Sequence, residues 1–145
     1  MRSARFAAGR LVPRGQDVDD GGMNDEPQPP TVRIRIVFGE AGMIGPGKAE
    51  LLERIDRTGS ISAAGREMNM SYKRAWMLVE TLNAMFRDPV VASTRGGPRG
   101  GGAVLTEAGR RLLYLYRRFE AQAAAAGTGT LGEMQSMLRD IADGK

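Results

Sequence analysis

The chain has no cysteine and no histidine among its 145 residues. The first absence removes disulfides, thiolate metal sites and cysteine nucleophiles. The second removes imidazole acid–base catalysis, the Ser-His-Asp triad and the usual zinc ligands. No apolar run approaches the roughly 18 residues that a membrane span needs. Arg2, Arg5 and Arg10 near the start are not followed by the long apolar region of a secretory signal. The expectation is a cytoplasmic protein with no membrane partner, no cofactor, no metal and no catalytic residues. A formal net charge of +4 is compatible with a nucleic-acid partner but does not establish one. The length admits one ordinary domain plus a tail.

The stretch from Gly59 to Trp76, GSISAAGREMNMSYKRAW, organises the rest. Thr58 and Ser60 offer N-cap oxygens, and Ala63, Ala64 and Gly65 suit a helix that another must approach closely. Asn69 is well suited to the left-handed backbone that ends a helix. Ser71 then caps a second helix whose apolar positions, Ala75, Leu78, Val79, Leu82 and Met85, recur at helical spacing. Tyr72, Lys73 and Arg74 point outward from its first turn. The pattern is a helix-turn-helix. Ala49 to Arg57 supplies a preceding helix with Leu51, Leu52 and Ile55 on its apolar face. The three helices are expected at about 47–57, 61–68 and 71–86, with Pro89 forbidding continuation of the last. Trp76, the single tryptophan, is expected to pack against neighbours rather than face a ligand.

Thr31 to Phe38, TVRIRIVF, alternates Val32, Ile34 and Ile36 with Arg33 and Arg35, a strand pattern with its arginines in water. Gly42 to Lys48 satisfies the G-x-x-x-x-G-K half of a phosphate-binding loop. Ala49 stands where a metal-binding hydroxyl is needed, Pro46 lacks a backbone N–H, no later apolar strand ends in Asp, and the chain is too short for the parallel sheet the motif is built on. A turn running into a helix with Pro46 near its start is the simpler reading, and a nucleotide binder is a remote alternative. Val90–Thr94 and Ala103–Leu105 read as strands on either side of a Gly-rich, acid-free loop carrying Arg95 and Arg99. Directly after a helix-turn-helix, such a hairpin is a wing that lies along a phosphate backbone. The strand before the first helix is expected to join it in one small sheet. Thr106 caps the longest helix, whose stripe of Leu105, Leu112, Leu115, Tyr116, Phe119 and Ala123 either folds back on its own domain or, the favoured reading, pairs with its copy in a second chain. Gly127-Thr128-Gly129 breaks that helix, and Leu131, Met134, Met137, Leu138 and Ile141 mark a short amphipathic helix beyond.

GSIS at Gly59–Ser62, SYKRAW at Ser71–Trp76 and GGGAVLTEAG at Gly100–Gly109 carry a resemblance in their order and spacing. From about Val32 to Phe119 the chain resembles the N-terminal DNA-binding domain of the ModE family of molybdate-responsive transcriptional regulators, a winged helix related to the LysR type. Asn69 stands where that family often has Gly, a change that preserves the backbone. ModE regulators that sense molybdate carry β-barrel domains after the winged helix, and no all-β segment follows here. The resemblance is therefore to stand-alone members, and no molybdate site is expected in this chain.

The expected organisation is a disordered tail over 1–30, a winged helix-turn-helix over 31–106 and a dimerisation helix with a short tail helix over 107–145. The tail contains LVPRG, similar to a protease site of expression tags, and Met23 is a candidate true start. The fold class is mainly α, with a small sheet. The expected function is sequence-specific binding of double-stranded DNA by a homodimer reading a palindrome. Ser71, Tyr72, Lys73 and Arg74 enter the major groove, while Arg95 and Arg99 hold the flanking backbone or minor groove. Regulation of molybdenum metabolism is what the resemblance implies. A winged helix used for protein contact or non-specific nucleic-acid binding is the alternative.

Overall fold

The structure is a computed structural model and describes residues 28–94 and 102–139. The wing arginines Arg95 and Arg99, Ile141 and the segment before Gln28 lie outside the described residues. The unit that carries the fold starts at Thr31. Its elements are β1 (Ile36–Val37), β2 (Met43–Ile44), α1 (Pro46–Thr58), α2 (Ile61–Glu67), α3 (Tyr72–Met85), β3 (Val91–Thr94), β4 (Gly102–Leu105), α4 (Glu107–Ala126) and α5 (Thr128–Ser136). This is a mainly α winged helix with small antiparallel β-structure.

α1 is the helix around which the others pack. It contacts α2, α4, β2 and β4, and its Ala49, Leu51, Leu52 and Ile55 are completely buried. Pro46 opens it at a position where a missing N–H costs nothing. It ends on Gly59 in the left-handed conformation, whose N–H bonds to the Ile55 carbonyl. The α2–α3 corner is equally determined by sequence. Ser60 Oγ accepts from the Ala63 N–H at 3.0 Å and Ser71 Oγ from the Arg74 N–H at 3.1 Å. Asn69 alone among the described non-glycine residues has positive φ, 60°. At Gly65 an added Cβ would lie 3.0 Å from the Ala75 Cβ, so the glycine lets α2 and α3 come together. Ala64, Ala75, Val79 and Leu82 close the interface and join one core with Ile44, Val90, Val91, Ala103, Leu105 and Tyr116.

The β-structure departs from expectation. The N-terminal segment does not pair with the wing. β1 turns back through a single 3-10 turn at Gly39–Ala41 and pairs with β2, Ile36 opposite Ile44. β3 and β4 form a separate pair, running from Val91 opposite Leu105 to Thr94 opposite Gly102. The β-ladder also begins later than Thr31, at Ile36. The alternation of burial over Val32, Ile34 and Ile36, with Arg33 and Arg35 exposed, holds outside the ladder because that segment packs one side without a strand partner. A nearby sheet-forming segment, Met43–Ile44, captured the end of the strand first. Its signal was hidden inside the glycine-rich stretch that resembles a phosphate loop.

Gly109 explains how α4 leaves the wing. A Cβ there would be 2.0 Å from the Val90 carbonyl oxygen, so the first turn of α4 crosses the backbone of the strand entry. Thr106 reinforces the crossing: its Oγ1 donates to the Pro89 carbonyl at 2.6 Å and accepts from the Gly109 N–H at 2.9 Å. Further along α4, the buried Tyr116 donates its hydroxyl to the Ile34 carbonyl at 2.5 Å. At Gly127 the break is a single turn, after which α5 begins at once.

Candidate nucleic-acid interface

α3 buries Ala75, Val79 and Leu82 and leaves Ser71, Tyr72, Lys73, Arg74, Trp76, Met77, Glu80 and Thr81 exposed. At 100° per residue these exposed positions spread over one continuous side of the helix. Ser71 is committed to capping through its Oγ. Lys73 and Arg74 make no ion pair among the described residues, so their charges are available to a ligand. Tyr72 is 56% exposed. The four helix candidates thus share the first turn of α3, and the backbone there is held by Ser71 and by packing of Ala75 on Ala64 and Gly65.

Trp76 is not packed away as expected. It is 44% exposed, one turn beyond Tyr72 on the same side, with Met77 51% exposed next to it. The physical reason is phase: the interior side of α3 is filled by Ala75, Val79 and Leu82, and position 76 falls outside that arc. Residue type alone pointed inward, whereas the helical phase of Ala75 and Val79 would have placed it outside. Tyr72 and Trp76 form one wall of a cleft of about 280 Å³ between α2, α3 and the wing strands, which also takes in Ile61, Ser62, Glu80 and Thr94.

The wing strands are fixed to this surface by bonds that sequence reading missed. Asn83 Oδ1 accepts from the Val90 and Val91 N–H groups at 2.8 and 3.1 Å, and its Nδ2 donates to the Val91 carbonyl at 3.1 Å. The Ala103 N–H donates to the Gly59 carbonyl at 2.9 Å. One asparagine on α3 therefore sets the entry of β3, while the α1–α2 turn holds β4. The only signal in the sequence was a polar residue at a half-buried position of an otherwise apolar helix side.

Several other charged groups are engaged elsewhere. Arg54 and Arg57 at the end of α1 both pair with Glu67 of α2, and Arg54 also pairs with Glu50. Hydrogen bonding to Arg57 and then Arg54 holds the Glu67 carboxyl below its ordinary pKa. Arg117 on α4 donates to both oxygens of Glu53 at 2.9 and 2.8 Å and to Glu120 at 2.7 Å. Burial works against the Arg117 charge, but the bonds to Glu53 and Glu120 outweigh it and raise its pKa. These pairs line a polar pocket of about 420 Å³ between α1 and α4 in which Arg54 and Arg117 are already neutralised. At the phosphate-loop look-alike, Lys48 Nζ donates to the Met43 carbonyl at 2.9 Å. Burial and then the charge of Arg35 lower the Lys48 pKa. Ile44 and Gly45 are buried there, so the segment is a hairpin end running into α1. Among the described residues no cluster of acids could hold a metal, and no helix is long and apolar enough to cross a membrane.

A three-helix core, an exposed cationic helix after a tight turn and a hairpin clamped beside it define a winged helix-turn-helix protein. Residues 47–110 match the family described as bacterial regulatory helix-turn-helix protein, lysR family. The molybdenum-pterin-binding protein MopB of Rhodobacter capsulatus is 49% identical over 81 residues, covering 56% of this chain and 30% of that protein. The molybdenum transport protein ModE of Azotobacter vinelandii is 36% identical over 97 residues, 67% of this chain and 34% of that one. The DNA-binding transcriptional dual regulator ModE of Escherichia coli K12 is 41% identical over 71 residues, 49% and 27% of the two chains. Over this part the chain is similar to the helix-turn-helix of the lysR family and to the corresponding part of ModE proteins. The chain spans about a third of the length of the curated relatives it matches.

Proposed function

We propose that this protein is a sequence-specific DNA-binding transcriptional regulator that acts in the cytoplasm and not as an enzyme. The observation that carries the reading is the outer side of α3, where Lys73 and Arg74 stand exposed and, among the described residues, without an ion-pair partner, on a helix whose other side is locked into the core. Tyr72, Lys73 and Arg74 enter a major groove, and Ser71 meets a phosphate at the helix start. Arg95 and Arg99 on the wing hold the flanking backbone or minor groove. α4 leaves Leu115 and Phe119 44% and 47% exposed, and pairing of this helix with a second copy gives a homodimer. Such a dimer reads an approximate palindrome with half-sites whole helical turns apart. The names of the relatives support a regulatory role in molybdenum metabolism; no molybdate site is assigned to this chain.

The test is selection from random duplex pools at two salt concentrations, followed by sequencing of the bound fraction. An enriched palindrome is expected. Salt-sensitive binding without enrichment would leave a non-specific nucleic-acid binder, and absence of binding at both salts would favour a winged helix that contacts protein.

A further inference from the structure

Trp76 and Met77 add apolar surface to a helix side whose charged members already account for contacts with phosphate and base acceptors. The anchoring of α3 in the core belongs to Ala75, Val79 and Leu82, which are at most 3% exposed. Tyr72 and Trp76 lie one turn apart and wall the cleft beside the wing, whose inner lining includes the apolar Ile61 and Val79. What occupies that region is constrained by charge. Glu80 lines the same cleft and has no ion-pair partner among the described residues. An unpaired carboxylate repels a phosphate, so the backbone keeps away from the Glu80 part of the helix and base edges face Trp76. In the major groove, the apolar group on a base edge is the 5-methyl of thymine.

We propose that Trp76, with Met77 beside it, is a specificity-determining residue that takes the 5-methyl group of thymine in each half-site. This assignment rests on the DNA-binding reading above and deepens it. The indole supplies a broad apolar surface that needs no hydrogen-bond alignment, and Lys73 and Arg74 fix the register in which the methyl meets it.

Replacing thymine by deoxyuridine removes that methyl and nothing else from the groove, so it isolates the contact. The probe is the duplex that the protein itself selects from a random pool, with each thymine replaced in turn. The full chain is expected to lose about fourfold in affinity, the worth of one buried methyl-sized group, at one or two thymines per half-site. In Trp76→Ala the thymine-to-uracil ratio at those positions should fall to one, with an unchanged unfolding temperature, while Trp76→Phe keeps most of the preference. Uniform weakening of thymine and uracil duplexes by Trp76→Ala would mean that the indole packs on sugar and backbone, and would overturn the assignment. So would a wild-type protein indifferent to uracil at every position. Both results leave DNA binding standing. Failure to select any duplex would remove the DNA-binding reading and this inference together.

Discussion

α3 and α4 are both amphipathic helices with one side in the same core, but their outer sides differ in kind. α3 shows water a mixture of cations, hydroxyls and aromatic edges around Lys73, Arg74, Tyr72 and Trp76. α4 shows Tyr114, Leu115 and Phe119, and Met134 of α5 with Met137 and Leu138 just past its end are 53%, 82% and 71% exposed. α5 has no buried residue at all. A polar-and-aromatic surface fits a polyanion that also has apolar base edges, whereas a run of bare aliphatic and aromatic side chains fits another protein surface. The difference supports the proposed pairing of the two helices with two ligands, DNA and a second copy of the chain.

The most disruptive way to break that comparison is to charge the α4 side. Leu115→Glu with Phe119→Glu is expected to convert a dimer to a monomer in sedimentation equilibrium, with the helical circular dichroism signal retained. Affinity for a two-half-site duplex should then fall a hundredfold or more, because the second half-site is no longer bound intramolecularly. A variant that stays dimeric with full affinity would move the interface away from this stripe. Next in size is the joint between the two regions. Gly109→Ala places a methyl against the Val90 carbonyl, 2.0 Å from its oxygen, and the crossing must open. A loss of about 1–3 kcal/mol or more of unfolding free energy is expected in urea titration. Little change would mean that α4 docks loosely, and that the two regions are less firmly joined than the Thr106–Pro89 bond implies.

Within the DNA surface, the helix and the wing should separate cleanly. Lys73→Ala is expected to cost about 1–3 kcal/mol of discrimination against mutated half-sites, with stability unchanged. Arg95→Ala or Arg99→Ala should instead weaken all duplexes alike and lower the slope of log affinity against log salt by about one for each arginine. Filter binding of matched and scrambled duplexes over a salt series reads both. If the wing variants changed sequence preference and Lys73→Ala did not, the two roles would be exchanged.

How legible each region was follows from the kind of signal it carries. The helices were readable because spacing and caps agree: Leu51, Leu52 and Ile55 on one side of α1, Ser60, Ser71 and Thr106 at helix starts, Asn69 at the turn. The N-terminal strand was only partly readable, since strand partners are set by tertiary geometry, and the two-residue β2 within Met43–Ile44 offers too little alternation to announce itself. Around the proposed site, the exposed placement of Ser71 to Arg74 at the start of α3 could be read from their position after the turn. Trp76 was misplaced because a large apolar residue was assigned inward by type, against the phase of its own helix. Asn83 was invisible for a different reason: its value lies in the backbone of Val90 and Val91, which only the fold brings to it.

The smallest expected effect concerns how the DNA surface is held rather than what it touches. Glu67, at the end of α2, receives both Arg54 and Arg57 from α1 and so ties the two helices ahead of the recognition helix. Its carboxyl is held below the ordinary value by those hydrogen bonds. A carboxylate with a depressed folded-state pKa stabilises the fold fully above its unfolded pKa, near 4.5, and loses that contribution as pH falls through the lower folded value. Glu67→Gln should therefore melt at a slightly lower temperature than the wild type at neutral pH, a modest gap because the pair is solvent-screened. The gap should close on acidification below pH 4.5. DNA discrimination by the variant at neutral pH should match the wild type. A gap that persisted at low pH would show that Gln perturbs the α1–α2 packing itself, and the ion pairs would lose their part in positioning α3.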